Sequence, residues 1–169
     1  MKDSPQPAFV ALGSNMGDSV SNIRRAMSRL QALSQEPLVK SSLWQTTPLD
    51  CPPDSPLFVN GVVGLVPNSN ETPESLLRKL QAIEKEFGRM PKKVLNEPRS
   101  LDLDLIAFGN ETRAAKDLVL PHPRAHERRF VLQPLSEIAP DFIFPGQATT
   151  VSELLQRLPP DPAMKPLEA

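Results

Sequence analysis

The chain is 169 residues long, 39% hydrophobic and 23% charged, a balance that supports one globular core and excludes both a disordered tail and a membrane span. Lys plus Arg number 19 against 20 for Asp plus Glu, so no overall positive field attracts nucleic acid and any anion site must be local. The single cysteine, Cys51, leaves no internal disulfide and no metal-ligand spacing, and fits a reducing, cytoplasmic setting.

The expected organisation is one domain over residues 1–169, with 1–7 and 160–169 loose. The stretch from Met1 to Pro7 has no apolar leader, and no run approaches the ~20 apolar residues of a membrane helix. The 20 prolines predict stiff loops.

In chain order, Ala8 to Leu12 reads as a buried strand running into a turn at Gly13-Ser14-Asn15-Met16-Gly17-Asp18. Ile23, Ala26, Met27, Leu30 and Leu33 recur at helical spacing, with Asp18, Ser19 or Ser21 available as caps. Val39 to Thr46 is a second strand, followed by a proline-rich loop to Pro56, of a length that in a compact domain usually binds something. Phe58 to Val66 is a third strand, on which Asn60 shares a face with Phe58 and Val62 and needs partners for its amide. Thr72-Pro73-Glu74 opens a helix whose apolar stripe is Leu76, Leu77, Leu80, Ile83 and Phe87, and Gly88 stops it. A basic loop with Arg89, Lys92 and Lys93 leads to Pro98 and Arg99.

The segment from Leu101 to Phe108 carries the densest signal. Leu101, Leu103 and Leu105 alternate with Asp102 and Asp104, so both carboxylates point the same way, roughly 7 Å apart. Two such acids can grip two Mg²⁺ ions about 3.5–4 Å from each other, although Asp-x-Asp is also the pattern of a solvated strand face. Arg99 supplies a fork for phosphate oxygens beside them.

Beyond Gly109-Asn110, Leu118 to Leu120 precedes the cluster His122, Arg124, His126, Arg128 and Arg129. A helix is expected from about Glu127 to Ile138, bent or interrupted at Pro134, then an edge strand at Phe142 to Phe144 and a helix from Val151 to Leu158. The plain readings of His122, of the Arg128-Arg129 pair and of Phe58, Phe130 and Trp44 are a turn residue, a solvated helix start and core packing. The order strand, helix, strand, strand, helix, strand predicts an α+β fold. Its core is a ferredoxin-like βαββαβ unit with a mostly antiparallel sheet and helices on one face, extended at the C-terminal end by helices and a hairpin. No glycine-rich nucleotide loop is present.

The ordered motifs Ala11-Leu12-Gly13-Ser14-Asn15, Thr46-x-Pro48-Leu49, Phe58-Val59-Asn60, Pro98-Arg99-Ser100-Leu101-Asp102-Leu103-Asp104, Leu120-Pro121-His122-Pro123, Arg128-Arg129-Phe130 and Pro134-Leu135-x-Glu137-Ile138-Ala139-Pro140 span Ala8 to about Pro145. With them the sequence resembles the 6-hydroxymethyl-7,8-dihydropterin pyrophosphokinases of folate biosynthesis. The resemblance implies Mg²⁺-dependent transfer of pyrophosphate from ATP to the hydroxymethyl oxygen of a reduced pterin, releasing AMP. It implies that Asp102 and Asp104 hold two Mg²⁺ ions and that Arg89 and Arg99 act beside them. It also implies that Gln81, Glu84, Arg89, Arg99, Leu105, His122 and Arg128 bind ATP, and that Thr47, Pro48, Leu49, Phe58, Asn60 and Phe130 form the pterin pocket. The implied partners are those two small molecules, with neither nucleic acid nor membrane. Loops 47–57 and 89–98 are expected to close as lids; in the second, Asn96 stands where many members carry tryptophan, Glu97 where glycine or alanine is usual, and Pro91 where some carry arginine. A different metal-dependent transferase and a non-catalytic ligand-binding module are the other readings of the same residues.

Overall fold

The computed structural model describes residues 7–15, 18–46, 58–88, 101–162 and 164–167. Strand β1 (Ala8–Ser14) is a run of small and apolar residues buried on both faces. Helix α1 (Ser19–Gln31) starts where the Asp18 carboxylate accepts the Ser21 N–H at 3.1 Å, filling one of the free donors of the first turn, and turns Ile23, Ala26, Met27 and Leu30 inward. Strands β2 (Val39–Lys40), β3 (Trp44–Thr46) and β4 (Phe58–Leu65) follow. Helix α2 (Pro73–Glu86) opens with a reciprocal cap between Thr72 and Ser75 and with proline in its first turn, and Gly88 leaves it at φ +86. Strand β5 (Asp102–Phe108), the hairpin β6 (Arg113–Ala114) and β7 (Val119–Leu120), a 3₁₀ turn at Ala125–Glu127, α3 (Arg129–Ile138), α4 (Val151–Arg157) and β8 (Lys165–Pro166) complete the described chain.

The main sheet runs β5-β1-β4-β3-β8, with β2 also on β4, and every pairing is antiparallel. With α1 and α2 as crossovers this is the ferredoxin-like arrangement that the element order predicts. Helices α1 and α2 bury one face, where Ile23, Leu30, Leu76 and Leu80 pack on Val10, Leu12, Val63, Leu103 and Leu105. The expected C-terminal extension supplies α3 and α4, which cover part of the opposite face, because Phe9, Val62, Ile106 and Ala107 are apolar there too and bury against Leu132, Leu135 and Leu154. The hairpin is tied back to α2 by Arg113, whose guanidinium meets Glu74 at 2.6 Å and Glu111 at 2.9 Å.

Four expected boundaries shift for physical reasons. The strand from Val39 to Thr46 breaks in two at Ser41, whose hydroxyl accepts the Val62 N–H at 2.9 Å where a ladder carbonyl would stand. The helix from Glu127 begins at Arg129, because Arg128 is extended at φ −108, ψ 111, and it then runs through Pro134 to Ile138. Phe142 to Phe144 forms no strand: Phe142 and Phe144 turn onto Phe9 and each other edge-to-face while Ile143 faces out, an alternation made without a ladder partner. The expected loose tail is anchored over 164–167, with Met164 buried, Lys165 and Pro166 paired with β3, and the Leu167 N–H donating to the Leu43 carbonyl at 2.8 Å.

Candidate active site

Pairing register builds the site. Asp102 on β5 lies opposite Gly13 on β1, Gly13 opposite Asn60 on β4, and Asn60 opposite Trp44 on β3. Directly paired residues share a face, so these four form one row across the sheet. The neighbouring row is Asp104, Ala11 and Val62, and there the cover of α3 and α4 begins. The end of this face beyond α3 and α4 therefore carries two half-buried carboxylates on one side and a buried amide on the other.

Each wall is held by identifiable bonds. Asp102 and Asp104 flank Leu103, whose N–H points away from β1 because β5 is the sheet edge; the Glu84 carboxylate on α2 accepts it at 2.7 Å. Glu84, expected beside the nucleotide, is thus buried as an anchor of the aspartate strand. Leu105, expected among the nucleotide's contacts, turns its side chain into the core with α1 and α2, on the face opposite the carboxylates. Gln81 is exposed one turn before Glu84 on the same helix.

Across the row, the Asn60 amide donates to Thr46 Oγ1 at 2.6 Å. Thr46, absent from the expected site residues, is the partner that fixes the Asn60 amide; its signal lay in the strand pairing, which brings it diagonally across from Asn60. Phe58 stands two residues from Asn60 on the same face.

His122 is brought in by its N–H, which donates to the Ile106 carbonyl of β5 at 2.9 Å. Its Nδ1 accepts the Arg124 N–H at 3.2 Å, so the neutral ring carries its proton on Nε2. Burial holds the imidazole pKa below its ordinary value, the positive Arg128 and Arg124 add to that, and the negative Asp102 opposes it. These charges place Arg128, His122 and Asp102 in one field. The Arg128 guanidinium lies 5.5 Å from the centroid of the Phe130 ring, and its Nε is buried with no hydrogen-bond partner among the described residues. A buried guanidinium N–H without an acceptor suits an anionic ligand.

Among the described residues no three His, Cys, Asp or Glu side chains gather as a metal cage. The aspartate pair offers hard oxygen donors that suit Mg²⁺, an ion usually held by one or two carboxylates plus phosphate and water oxygens. Thr47, Pro48, Leu49, Arg89 and Arg99, and both expected lids, lie outside the described residues.

Residues 9–140 match the model of the 7,8-dihydro-6-hydroxymethylpterin-pyrophosphokinase (HPPK) family. The chain is 40% identical over 155 residues to a 2-amino-4-hydroxy-6-hydroxymethyldihydropteridine pyrophosphokinase of Pseudomonas aeruginosa, covering 91% of this chain and 93% of that one. It is 33% identical over 154 residues to the folic acid synthesis protein fol1 of Pneumocystis carinii, covering 90% of this chain but 20% of that longer protein. Among solved structures, wild-type HPPK-DHPS of Plasmodium falciparum shares the fold with a TM-score of 0.70 at 13% identity, over 92% of this chain and 45% of that one. The chain belongs to the 7,8-dihydro-6-hydroxymethylpterin-pyrophosphokinase family.

Proposed function

We propose that this chain moves the terminal diphosphate of ATP onto the hydroxymethyl oxygen of 6-hydroxymethyl-7,8-dihydropterin, releasing AMP, as a single-domain enzyme of folate biosynthesis in the cytoplasm. The observation that carries the reading is the row Asp102, Gly13, Asn60. It sets a carboxylate and a hydrogen-bonding amide two strand spacings apart, about 9.5 Å, a span that a two-ring heterocycle with a one-carbon arm can bridge. The hydroxymethyl oxygen attacks the β-phosphorus; the bond from that phosphorus to the oxygen bridging to the α-phosphorus breaks. That oxygen leaves on AMP, and the hydroxyl proton is released.

Asp102 and Asp104 are the residues that would hold Mg²⁺, two ions by the family's pattern; bound there, the metal neutralises the triphosphate and orients it for in-line transfer. His122 and Arg128, with Arg89 and Arg99, line the phosphates, and neutral His122 donates from Nε2. Exposed Gln81 meets the nucleotide, while Glu84 acts through β5 by holding Leu103. Phe58 and Phe130 take the flat ring, Asn60 reads its amide-like edge, and Thr47, Pro48 and Leu49 close the pocket. Loops 47–57 and 89–98 close over both substrates and exclude water that would otherwise hydrolyse ATP.

The test is product analysis after mixing the protein with ATP, Mg²⁺ and the reduced hydroxymethyl pterin. Pterin-dependent AMP is the expected product. Release of ADP, or turnover that persists after complete chelation of divalent metal, rejects the reading.

A further inference from the structure

The motif Ala11 to Asn15 contributes no side chain to the chemistry above, yet its glycine lies at the centre of the site. Gly13 sits inside β1, paired with Asp102 on one side and Asn60 on the other, and it is buried. Its backbone conformation does not demand glycine, since the described glycines at positive φ are Gly88, Gly109 and Gly146. Glycine inside a strand weakens it and packs nothing, and where no turn or bulge requires it the usual reason is that something approaches the backbone closely. Here a Cβ would stand 3.0 Å from Asn60 Oδ1 and 3.7 Å from Phe58 Cδ1. Asn60 cannot simply swing aside, because its Nδ2 is committed to Thr46 Oγ1 at 2.6 Å.

We infer that Gly13 is a specificity-determining residue of the pterin site: its missing side chain opens a slot between the carboxylate wall and the Asn60 wall through which one edge of the planar ring descends to the β1 backbone. The inference rests on the pterin reading given above. On the site face β1 contributes Ala11 and Gly13, whereas its neighbours contribute Asp102 and Asp104 or Phe58 and Asn60. The slot therefore has a floor of main chain and walls of polar and aromatic groups. A methyl group at position 13 fills the floor and at the same time pushes the amide out of line.

Calorimetric titration of 6-hydroxymethylpterin, with Mg²⁺ and a non-hydrolysable ATP analogue saturating, tests this. Gly13→Ala weakens pterin binding roughly tenfold, the scale of one misaligned hydrogen bond and lost ring contact, and leaves the affinity for the ATP analogue unchanged. Gly64→Ala is the control on the same sheet, since its Cβ would meet the Phe9 ring at 3.2 Å, away from the row; it leaves both affinities unchanged. In an Asn60→Ser background, which removes the colliding amide, Gly13→Ala loses the part of its effect that comes from displacing Asn60 and keeps the part that comes from filling the floor, a partial non-additivity that a general weakening of β1 does not produce. In the unmutated protein, the Gly13 Hα that stands where a Cβ would gives nuclear Overhauser contacts to the bound ring, a readout independent of whether any variant folds. A folded Gly13→Ala chain that binds pterin as the parent does, or an absence of those contacts, overturns the inference and leaves the pyrophosphokinase reading intact. A parent protein that binds no pterin at all removes both.

Discussion

His122 is pressed toward its neutral form by burial first and by Arg128 and Arg124 next, while Asp102 pulls the other way. Its folded pKa lies below the ordinary 6.5, so between that value and the lowered one the unfolded chain binds a proton that the folded chain refuses. Stability from this group is therefore fully present above pH 6.5 and is lost as the pH falls through that window. In the metal-free protein, the His122 ring signal followed by NMR titrates below 6.5. Asp102→Asn moves the midpoint further down, and Arg128→Gln moves it up but still short of 6.5, because burial is the larger cause. Opposite movements would remove the field that joins these three residues. The carboxylates themselves make a separate prediction. Asp102→Asn and Asp104→Asn each keep the shape of the strand and lose a charge that the proposed Mg²⁺ site requires, so AMP release falls by about 10²-fold or more with little change in melting temperature.

At the scale of elements, β5 is an edge strand whose outward N–H at Leu103 is satisfied by Glu84 from α2. Glu84→Ala leaves that donor buried and unpaired, at a cost of about 1–3 kcal/mol, whereas Glu84→Gln keeps an acceptor and costs less; urea denaturation of the two variants reads the difference. Equal losses in both would show that the charge, and not the acceptor, matters. The period-two run from Leu101 to Leu105 made β5 legible in the sequence, and the caps at Asp18 and Thr72 made α1 and α2 so. Other boundaries escaped because they depend on tertiary partners. Ser41 breaks its strand by bonding to Val62, 21 residues away. Phe142 and Phe144 alternate like a strand yet are extended over Phe9 without a ladder. Two-residue β8 is shorter than any periodicity can report and exists because β3 offers it an edge. The burial of the Leu105 side chain was legible in its alternation with Asp104.

At the scale of the molecule, the candidate site follows from where α3 and α4 end on one sheet face. Helices α1 and α2 pack on one side, α3 and α4 on part of the other, and the row beyond them carries carboxylates at the β5 edge and an amide on β4. Where the cover of α3 ends was not legible in the sequence, since it is set by how α3 packs on β4 and by the tie from Glu137 to the Ser42 N–H at 2.6 Å. On the proposed reading the pterin end and the phosphate end are built from different strands of one sheet, and their ligands stabilise the fold separately. A nucleotide analogue at a hundredfold excess over its dissociation constant adds about 2.7 kcal/mol to the folded state, visible as a rise in melting temperature. Asp104→Asn loses that Mg²⁺-dependent rise. Asn60→Ala keeps it and loses instead the further rise produced by adding pterin. If Asn60→Ala also abolished the nucleotide's effect, or Asp104→Asn preserved it, the two ends would not be separable and the division of labour along the row would have to be given up.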